Sequence, residues 1–280
     1  MNQDLALLQK HGLRFSEKLG QNFLIDPAVC PRMAALCGAT KTCGVLEVGP
    51  GAGVLTRELA HVAGKVVAIE LDTRLRPVLR EALAAHKNTE VLFGDVLQID
   101  LAALLQTHFA GMPVHVCANL PYYITSPVLM RLLESRLPFV NITVMVQKEA
   151  AARLCAPMGT RACGAVTAAV AYYAAAQPLF QVSRDAFLPS PNVDSTVIQL
   201  TLRPAPPVAP PSEASFFRLI RAAFGQRRKT LPNALAAGLS AEKSQVVAAL
   251  NCAGIPLAAR AETLTLEDFA RIAACWPGPL

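Results

Sequence analysis

The chain has 280 residues, of which 53% are hydrophobic and 16% charged, and its formal net charge is +6. This length allows one large domain with a small partner domain, and burying a sizeable core is no difficulty. The most apolar stretch, residues 162–176, is alanine-rich and too short to span a bilayer, so it is predicted to be a buried helix and no membrane association is expected. If the positive charges lie on one face of the protein, that face would attract a polyanion. Charges spread evenly over the surface would give the same net charge and only aid solubility.

Eight cysteines are scattered along the chain without a C-x-x-C pair or a zinc-finger arrangement with histidine. We therefore expect no metal, and buried free thiols in a reducing compartment are favoured over disulfides. The N-terminus has no basic stretch followed by an apolar core, so we predict no signal peptide and a cytoplasmic location.

Short apolar runs alternate with helical patterns through the first 203 residues. The predicted strands cover 44–48, 65–70, 89–93, 114–118 and 142–146, and the predicted helices cover 55–62, 74–85, 101–106 and 127–134. Ser126 followed by Pro127 is a typical start of the last helix. This alternation predicts an α/β, Rossmann-like fold with a parallel sheet between helices, whose ligands sit beyond the carboxyl ends of the strands.

Five prolines in residues 204–212 interrupt this pattern. Proline at this density cannot continue a helix or a central strand, so we predict an extended linker. It separates a large domain, 1–203, from a small helical domain, 213–280. Helices are expected there near 215–224, 242–250 and 266–275, the last opened by a capping box at Thr265.

A glycine-rich turn follows the first predicted strand, with Glu47 before Gly49, Gly51 and Gly53. Glycines permit a tight turn and a close approach of backbone to a ligand. A dinucleotide-binding fingerprint would need its third glycine at position 54, which is Val54. The G-x-G-x-G spacing suits a ligand that has an ammonium, a carboxylate and a sulfonium but no phosphate. An ordinary strand-to-helix turn is the alternative.

Acidic residues end or follow the next two strands. Glu70 can accept hydrogen bonds from both hydroxyls of a ribose, and Asp95, beside Val96, can accept from the exocyclic amine of a cofactor adenine. A solvated acid at 70 and a turn aspartate at 95 are the alternatives.

The fourth strand ends in Asn119, Leu120, Pro121 and Tyr122. An adenine amine is a poor nucleophile because its lone pair is delocalised into the ring. A side-chain amide oxygen and a backbone carbonyl can accept its two N–H groups and aim that lone pair at a methyl group. The aromatic ring can stack on a base that has left its helix, and positioning in line supplies most of the acceleration. A loop with a packed tyrosine is the alternative.

These residues together resemble the ribosomal RNA adenine dimethyltransferase family, and closely its bacterial small-subunit branch. The resemblance covers nearly the whole chain. It is carried by the segments 18–24, 47–56, 94–95, 119–122, 147–149, 187–195 and 223–233. Glu17, Cys163 and Ala171 depart from the family pattern, and none of the three belongs to the catalytic motif.

The resemblance implies S-adenosylmethionine as cofactor, with Asn22 and Leu24 contacting its methionine part. It also implies that Phe187 stacks on the target adenine. The implied reaction is the N6,N6-dimethylation of two adjacent adenines near the 3′ end of 16S ribosomal RNA during biogenesis of the small ribosomal subunit. The implied partner is therefore that subunit and its rRNA.

The densest basic stretch consists of Arg218, Arg221, Arg227, Arg228 and Lys229. Structured RNA is recognised mainly through its shape and backbone, so these residues are predicted to bind the rRNA substrate. The domain 213–280 is therefore predicted to be the RNA-binding domain, and the domain 1–203 the S-adenosylmethionine-binding catalytic domain. A solvated helix end is the alternative for any one of these basic residues.

Three other functions compete with this prediction. A nicotinamide-dependent oxidoreductase is disfavoured by Val54 and by the motif at Asn119. An adenine methyltransferase of large-subunit RNA or DNA is disfavoured by residues 226–233. A non-catalytic assembly or transcription factor is disfavoured by the intact Asn119 and Tyr122. The sequence has no heptad repeat and no obvious exposed apolar strand that would suggest a dimer, so a monomer is expected.

Overall fold

The computed structural model describes residues 3–13 and 23–278. Its helices are α1 Gln3–Lys10, α2 Val29–Leu36, α3 Val54–Val62, α4 Arg76–Ala82, α5 Leu101–Phe109, α6 Thr125–Glu134, α7 Lys148–Leu154, α8 Ala165–Tyr173, α9 Glu213–Gly225, α10 Leu231–Leu239, α11 Lys243–Cys252 and α12 Leu266–Ala274. Its strands are β1 Phe23–Leu24, β2 Gly44–Val48, β3 Lys65–Glu70, β4 Thr89–Phe93, β5 Val114–Asn119, β6 Phe139–Gln147, β7 Ala174–Val182, β8 Phe187–Leu188 and β9 Ser195–Leu202.

A seven-stranded sheet with the order β4-β3-β2-β5-β6-β9-β7 forms the centre of the fold. Strands β4, β3, β2, β5 and β6 run parallel, and β9 pairs antiparallel with β6. The central strand β2 is buried along its whole length, as its run of apolar residues predicts. Parallel strands end at one edge, so residues 47–51, 70–72, 94–96 and 119–123 are brought together there. The predicted Rossmann-like α/β class is confirmed.

The predicted strands and the first predicted helices are present, with ends that shift by a few residues. The predicted N-cap at Ser126 is wrong, because α6 begins at Thr125 with Ile124 as its N-cap. The Thr125 hydroxyl donates to the Pro121 carbonyl at 3.2 Å, which continues the turn of the preceding loop directly into the helix. Sequence patterns did not predict α2 or the strands β7 to β9.

The chain forms two compact units. The first comprises the described residues of Met1–Ala151 with Gln177–Leu202, and the second comprises Ala152–Ala176 with the described residues of Arg203–Leu280. The break at Leu202 lies beside the predicted boundary at 203, but residues 152–176 group with the C-terminal helices. The division into a catalytic and an RNA-binding domain stays a prediction.

Aromatic packing explains why α8 belongs with the C-terminal helices. The hydroxyls of Tyr172 and Tyr173 donate to the two carboxylate oxygens of Glu213 at 3.2 and 2.6 Å. The Tyr173 ring stacks on Phe217, with centroids 5.5 Å apart, and Tyr172 also contacts Phe216. An alanine-rich sequence gives no sign of these contacts, since its partners lie some 40 residues further along the chain.

The three helices predicted for the C-terminal region are present as α9, α11 and α12, and α10 lies between them. The capping box is confirmed: the Thr265 hydroxyl accepts from the Asp268 N–H at 3.2 Å, and the Asp268 carboxylate accepts from the Thr265 N–H at 2.9 Å. Cys252 and Cys275 form a disulfide, which corrects the expectation of free thiols there, because the ends of α11 and α12 bring their Cα atoms within 6.0 Å. The other six cysteines form no disulfide. No helix in the described ranges is long and apolar enough to cross a membrane.

Candidate active site

A cavity opens at the carboxyl ends of β2, β3, β4 and β5. The predicted site residues on its wall are Leu24, Glu47, Gly49, Gly51, Glu70, Asp95, Val96, Asn119, Leu120, Pro121, Tyr122 and Phe187. Asn22 lies outside the described residues. Arg221, Arg227, Arg228 and Lys229 lie in the second unit and are exposed. The structure thus brings the cofactor and acceptor motifs to one cavity, while the role of each residue stays a prediction.

The glycine-rich turn forms the floor of the cavity beside β2. Gly49, Gly51 and Gly53 have φ angles of 72°, 57° and 82°, a left-handed conformation that side chains rarely adopt. A Cβ atom on Gly49 would meet no atom within 4 Å, so open space faces this backbone. The turn leads into α3 at Val54, whose N-cap Gly53 offers no side-chain cap.

Glu70 ties this turn to the end of β3. Its two carboxylate oxygens accept from the Gly51 N–H at 3.1 Å and from the Asp72 N–H at 2.8 Å. Burial raises the pKa of Glu70, and these backbone N–H groups offset part of the rise. The carboxylate therefore fixes the turn and still faces the cavity.

Glu47 is the most deeply buried acid of the site, at 1% exposure. Burial raises the pKa of Glu47 to about 8, and the nearby Glu70 adds to the rise. Its Oε2 atom and the Thr56 hydroxyl have no hydrogen-bond partner within the described residues. In the same part of the chain, neither Glu47 nor Glu70 is paired with a lysine or arginine. This wall of the cavity thus favours a cation that can also donate hydrogen bonds.

Asp95 and Val96 follow β4 on the adjacent wall. Asp95 Oδ1 accepts from the Leu97 N–H at 2.9 Å, so the aspartate forms the turn that the alternative interpretation expected. Its second carboxylate oxygen accepts no hydrogen bond from the described chain. Asp95 can therefore form the turn with one carboxylate oxygen while the other is open to the amine of a cofactor adenine. Val96 is buried and presents an apolar surface beside that oxygen.

The acceptor motif leaves the sheet at the end of β5. Asn119 is the last residue paired with β6, opposite Met145, and the buried Leu120 anchors the next turn. The Pro121 carbonyl already accepts from the Ile124 N–H at 3.1 Å and from the Thr125 hydroxyl. The Leu120 carbonyl accepts from no described residue, so it is the free backbone acceptor next to the Asn119 amide.

Tyr122 is held from a distant part of the chain. Its hydroxyl lies 2.8 Å from the Ser195 hydroxyl, which belongs to β9 and is fully buried. Burial raises the pKa of Tyr122, and the bond to Ser195 offsets part of the rise. Ser195 ends the segment 187–195 that carried the family resemblance, yet sequence reasoning gave it no role, because a hydroxyl in a β-strand does not reveal a partner 73 residues away.

Phe187 and Leu24 close the cavity from a separate two-stranded ladder, in which they pair directly. Phe187 is 3% exposed and packs in the core cluster that also contains Leu24 and Cys30. Sequence reasoning did not predict that Cys30, Leu71 and Tyr123 line the cavity as well. Cys30 and Leu71 belong to no recognisable pattern, and Tyr123 directly follows the motif 119–122 but was given no role, so only the fold reveals the three.

Comparison with known proteins decides the family. The family model for ribosomal RNA adenine dimethylase matches residues 12–276. The chain belongs to this family. It is an rRNA adenine dimethyltransferase, which excludes the alternative of an oxidoreductase.

Two bacterial relatives are similar over nearly their whole length. Ribosomal RNA small subunit methyltransferase A of Shouchella clausii is 45% identical over 270 residues, covering 95% of this chain and 91% of the relative. The protein of the same name from Geobacillus thermodenitrificans is 44% identical over 283 residues, covering 97% of each chain.

Solved structures agree. The 23S rRNA methyltransferase ErmE has a TM-score of 0.67 and 28% identity, covering 91% of this chain and 99% of that one. A dimethyladenosine transferase from Plasmodium falciparum has a TM-score of 0.71 and 24% identity, covering 89% and 95%, and shows the same fold.

Replacing Glu47 by glutamine is expected to stabilise the protein in a pH-dependent way. An unfolded glutamate has a pKa near 4.3, whereas that of folded Glu47 is raised to about 8. Between these values the unfolded state releases a proton that the folded state retains, so wild-type stability falls as pH rises. The gain of Glu47→Gln should be absent below about pH 4 and reach on the order of 5 kcal/mol near pH 8.

Urea unfolding across pH 4–9 measures this difference. Glu134→Gln is the matched control, because Glu134 is exposed on α6. Parallel stability curves for wild type and Glu47→Gln would show that Glu47 is not held in its neutral form.

The Tyr122–Ser195 bond should appear as coupling in catalysis. Tyr122→Phe and Ser195→Ala each remove one partner of the same hydrogen bond, so each should lower kcat for rRNA methylation about tenfold. The double variant should be no slower than either single variant, which corresponds to a coupling of about 1.4 kcal/mol. Cofactor affinity should stay at the wild-type value. Additive losses in kcat would contradict a shared role.

Proposed function

We propose that the protein transfers methyl groups from S-adenosylmethionine to the N6 atoms of two adjacent adenines near the 3′ end of small-subunit rRNA. The observation that carries this proposal is the position of Asn119 and Tyr122. They lie at the end of a strand, on the wall of the same cavity as the glycine-rich turn and Glu70.

The residues present fit this cofactor. The free Oε2 atom of Glu47 and the open space at Gly49 suit the amino-acid part, which carries an ammonium. No lysine or arginine is among the described residues of the cavity wall, so a pyrophosphate would face two carboxylates without a counter-charge. Glu47, Gly49, Gly51 and Leu24 would hold the methionine part, and so would Asn22.

The remaining contacts follow the order of the strands. Glu70 would accept from the ribose hydroxyls, since each of its oxygens uses only one lone pair on the backbone. Asp95 Oδ2 would accept from the adenine amine, with Val96 against the ring. When bound, the cofactor supplies an electrophilic methyl group.

The acceptor motif would orient the target amine. The Asn119 side-chain oxygen and the Leu120 carbonyl would each accept one N–H, which turns the nitrogen lone pair toward the cofactor side of the cavity. Tyr122 and Phe187 would pack against the target base, and the Ser195 hydroxyl would keep the Tyr122 ring in place. For the second transfer the monomethylated amine has one N–H left, so the amine must turn while one acceptor stays engaged.

The small subunit is favoured as the target by two lines of support. The bacterial relatives that are 44–45% identical carry a small-subunit name, whereas the structure titled a 23S rRNA methyltransferase is 28% identical. The segment 223–233 also matches the small-subunit branch. Because the substrate is rRNA, we further propose a cytoplasmic location.

The basic stretch would bind the phosphates of that RNA, but its members differ. Arg227 donates to the carbonyls of Arg161 and Cys163 at 2.9 and 3.3 Å, so it also holds a loop of the second unit. The side chains of Arg228 and Lys229 are exposed and make no hydrogen bond within the described chain. Arg218 and Arg221 on α9 are exposed as well, so these four residues are available for phosphate contacts.

Methyl transfer to ribosomal particles tests the proposed function. Labelled S-adenosylmethionine is incubated with small subunits that lack adenine dimethylation, and with large subunits and duplex DNA as controls. Label should appear only on the small subunit, as N6,N6-dimethyladenosine, and Asn119→Ala should lower the rate at least about a hundredfold. Label on the large subunit or DNA would overturn the choice of substrate. Cofactor binding without transfer would point to a non-catalytic assembly factor.

Removing the free basic side chains tests RNA binding separately. The double variant Arg228→Ala with Lys229→Ala should bind small subunits more weakly and reduce the slope of log K against log salt by about 2. Arg80→Ala with Lys87→Ala makes the same change in charge at exposed residues of the first unit and serves as control. Equal losses in both double variants would show a general charge effect and contradict a specific contact.

A further inference from the structure

We propose that Tyr123 is a substrate-contact residue that stacks on the base next to the target adenine. This inference rests on the proposed function and deepens it, since it assigns a binding site to the neighbouring nucleotide. It concerns the residue that follows the acceptor motif, to which neither the sequence patterns nor the comparisons give a role.

Tyr123 differs from Tyr122 in its exposure and in its hydrogen bonding. Both belong to the short 3-10 helix Tyr122–Ile124 and both line the cavity. Tyr122 is half-buried and bonded to Ser195, whereas the Tyr123 side chain is 56% exposed and has no hydrogen-bond partner in the described chain. The Tyr122 ring is therefore held inside the cavity, whereas the Tyr123 ring lies at the mouth of the cavity, exposed to solvent.

Exposed apolar side chains gather at this mouth. Leu71 on the cavity wall is 52% exposed, as Tyr123 is at 56%. These two are the members of the described chain's six large exposed hydrophobic side chains that line the cavity. Leaving apolar surface in water costs free energy, so a cluster beside a site indicates a surface that a ligand covers.

The chemistry of the substrate identifies that ligand. An adenine whose amine reaches Asn119 must leave its stack, and its neighbour in the strand then stays outside the cavity with one face uncovered. An exposed aromatic ring beside the target site offers that face a stacking partner. Because the second proposed target is the adjacent adenine, the base at Tyr123 is a purine, which has the larger face to cover.

Four variants separate stacking from other effects. Tyr123→Phe keeps the ring, Tyr123→Leu keeps apolar bulk without an aromatic face, and Tyr123→Ala removes both. Val140→Ala is the matched control, because Val140 is 43% exposed on β6 and lies off the cavity wall. The substrate is the small subunit that lacks adenine dimethylation, and KM, kcat and cofactor affinity are measured for each variant.

Tyr123→Ala should raise KM for the small subunit about tenfold, as the loss of one base–aromatic stack predicts. Tyr123→Leu should fall between wild type and Tyr123→Ala, and Tyr123→Phe and Val140→Ala should stay within twofold of wild type. The value of kcat and the cofactor affinity should not change. On subunits reconstituted with a pyrimidine next to the target adenine, the penalty of Tyr123→Ala should shrink.

Two results would overturn the inference while leaving the proposed function intact. One is wild-type KM for Tyr123→Ala in a protein that methylates small subunits. The other is a fall in kcat at unchanged KM, which would mean that Tyr123 acts on the chemistry through Tyr122. A wild-type protein that transfers no methyl to small subunits would instead overturn the proposed function, and this inference with it.

Discussion

The hydrogen bond from the Gly51 N–H to the Glu70 carboxylate is the contact on which the site depends. Glu70 ends β3 and Gly51 follows β2, so the bond joins two neighbouring strand ends through one side chain. The backbone of the turn has left-handed φ angles that only glycine adopts at low cost, and without an acceptor its amide would face a cavity. A carboxylate here satisfies the amide and fixes the distance between the turn and the next strand.

That arrangement places two acids in one buried wall, which opposes stability. Burial raises the pKa of both acids, and the charge of Glu70 further disfavours the charged form of Glu47. A fold selected for stability alone would place an apolar side chain at position 47, since β2 is buried on every side. A cationic ligand would supply the missing counter-charge. The stability that the empty fold loses at this position then contributes to the binding free energy of that ligand.

Sequence patterns predicted the five parallel strands of the sheet because each is rich in apolar residues and is followed by a glycine-rich or polar turn, but they missed β7 and β9. For the same reason the residues after β2, β3, β4 and β5 could be predicted to meet, and the structure places them around one cavity. Contacts that depend on distant partners could not be predicted. Ser195 forms a hydrogen bond with Tyr122, and Glu213 accepts hydrogen bonds from two tyrosines. The roles of both side chains thus depend on residues 40 or more positions away.

Local signals also failed where tertiary structure outweighed them. Ser126 before Pro127 has the chemistry of a helix start, but the turn after Pro121 already has helical geometry and recruits Thr125 first. Cysteine spacing gave no sign of the disulfide, since Cys252 and Cys275 meet only when α11 and α12 pack together. The alanine-rich segment 162–176 was predicted as one helix, whereas the chain leaves α8 at Tyr173 and enters β7 at Ala174.

The acceptor side of the cavity combines a rigid base with an open mouth, and dimethylation of adjacent bases needs both. Leu120 and Ser195 are fully buried, so Asn119 and Tyr122 are set on groups that cannot move without disturbing the core. The side chains at the mouth of the cavity, in contrast, are exposed to solvent and are not packed in the core. The amine must turn after its first methylation, and the RNA strand must shift by one nucleotide to present the second target. Both motions need space at the mouth of the cavity but not at its base. A site closed around one nucleotide would orient the first transfer equally well and would hinder the next.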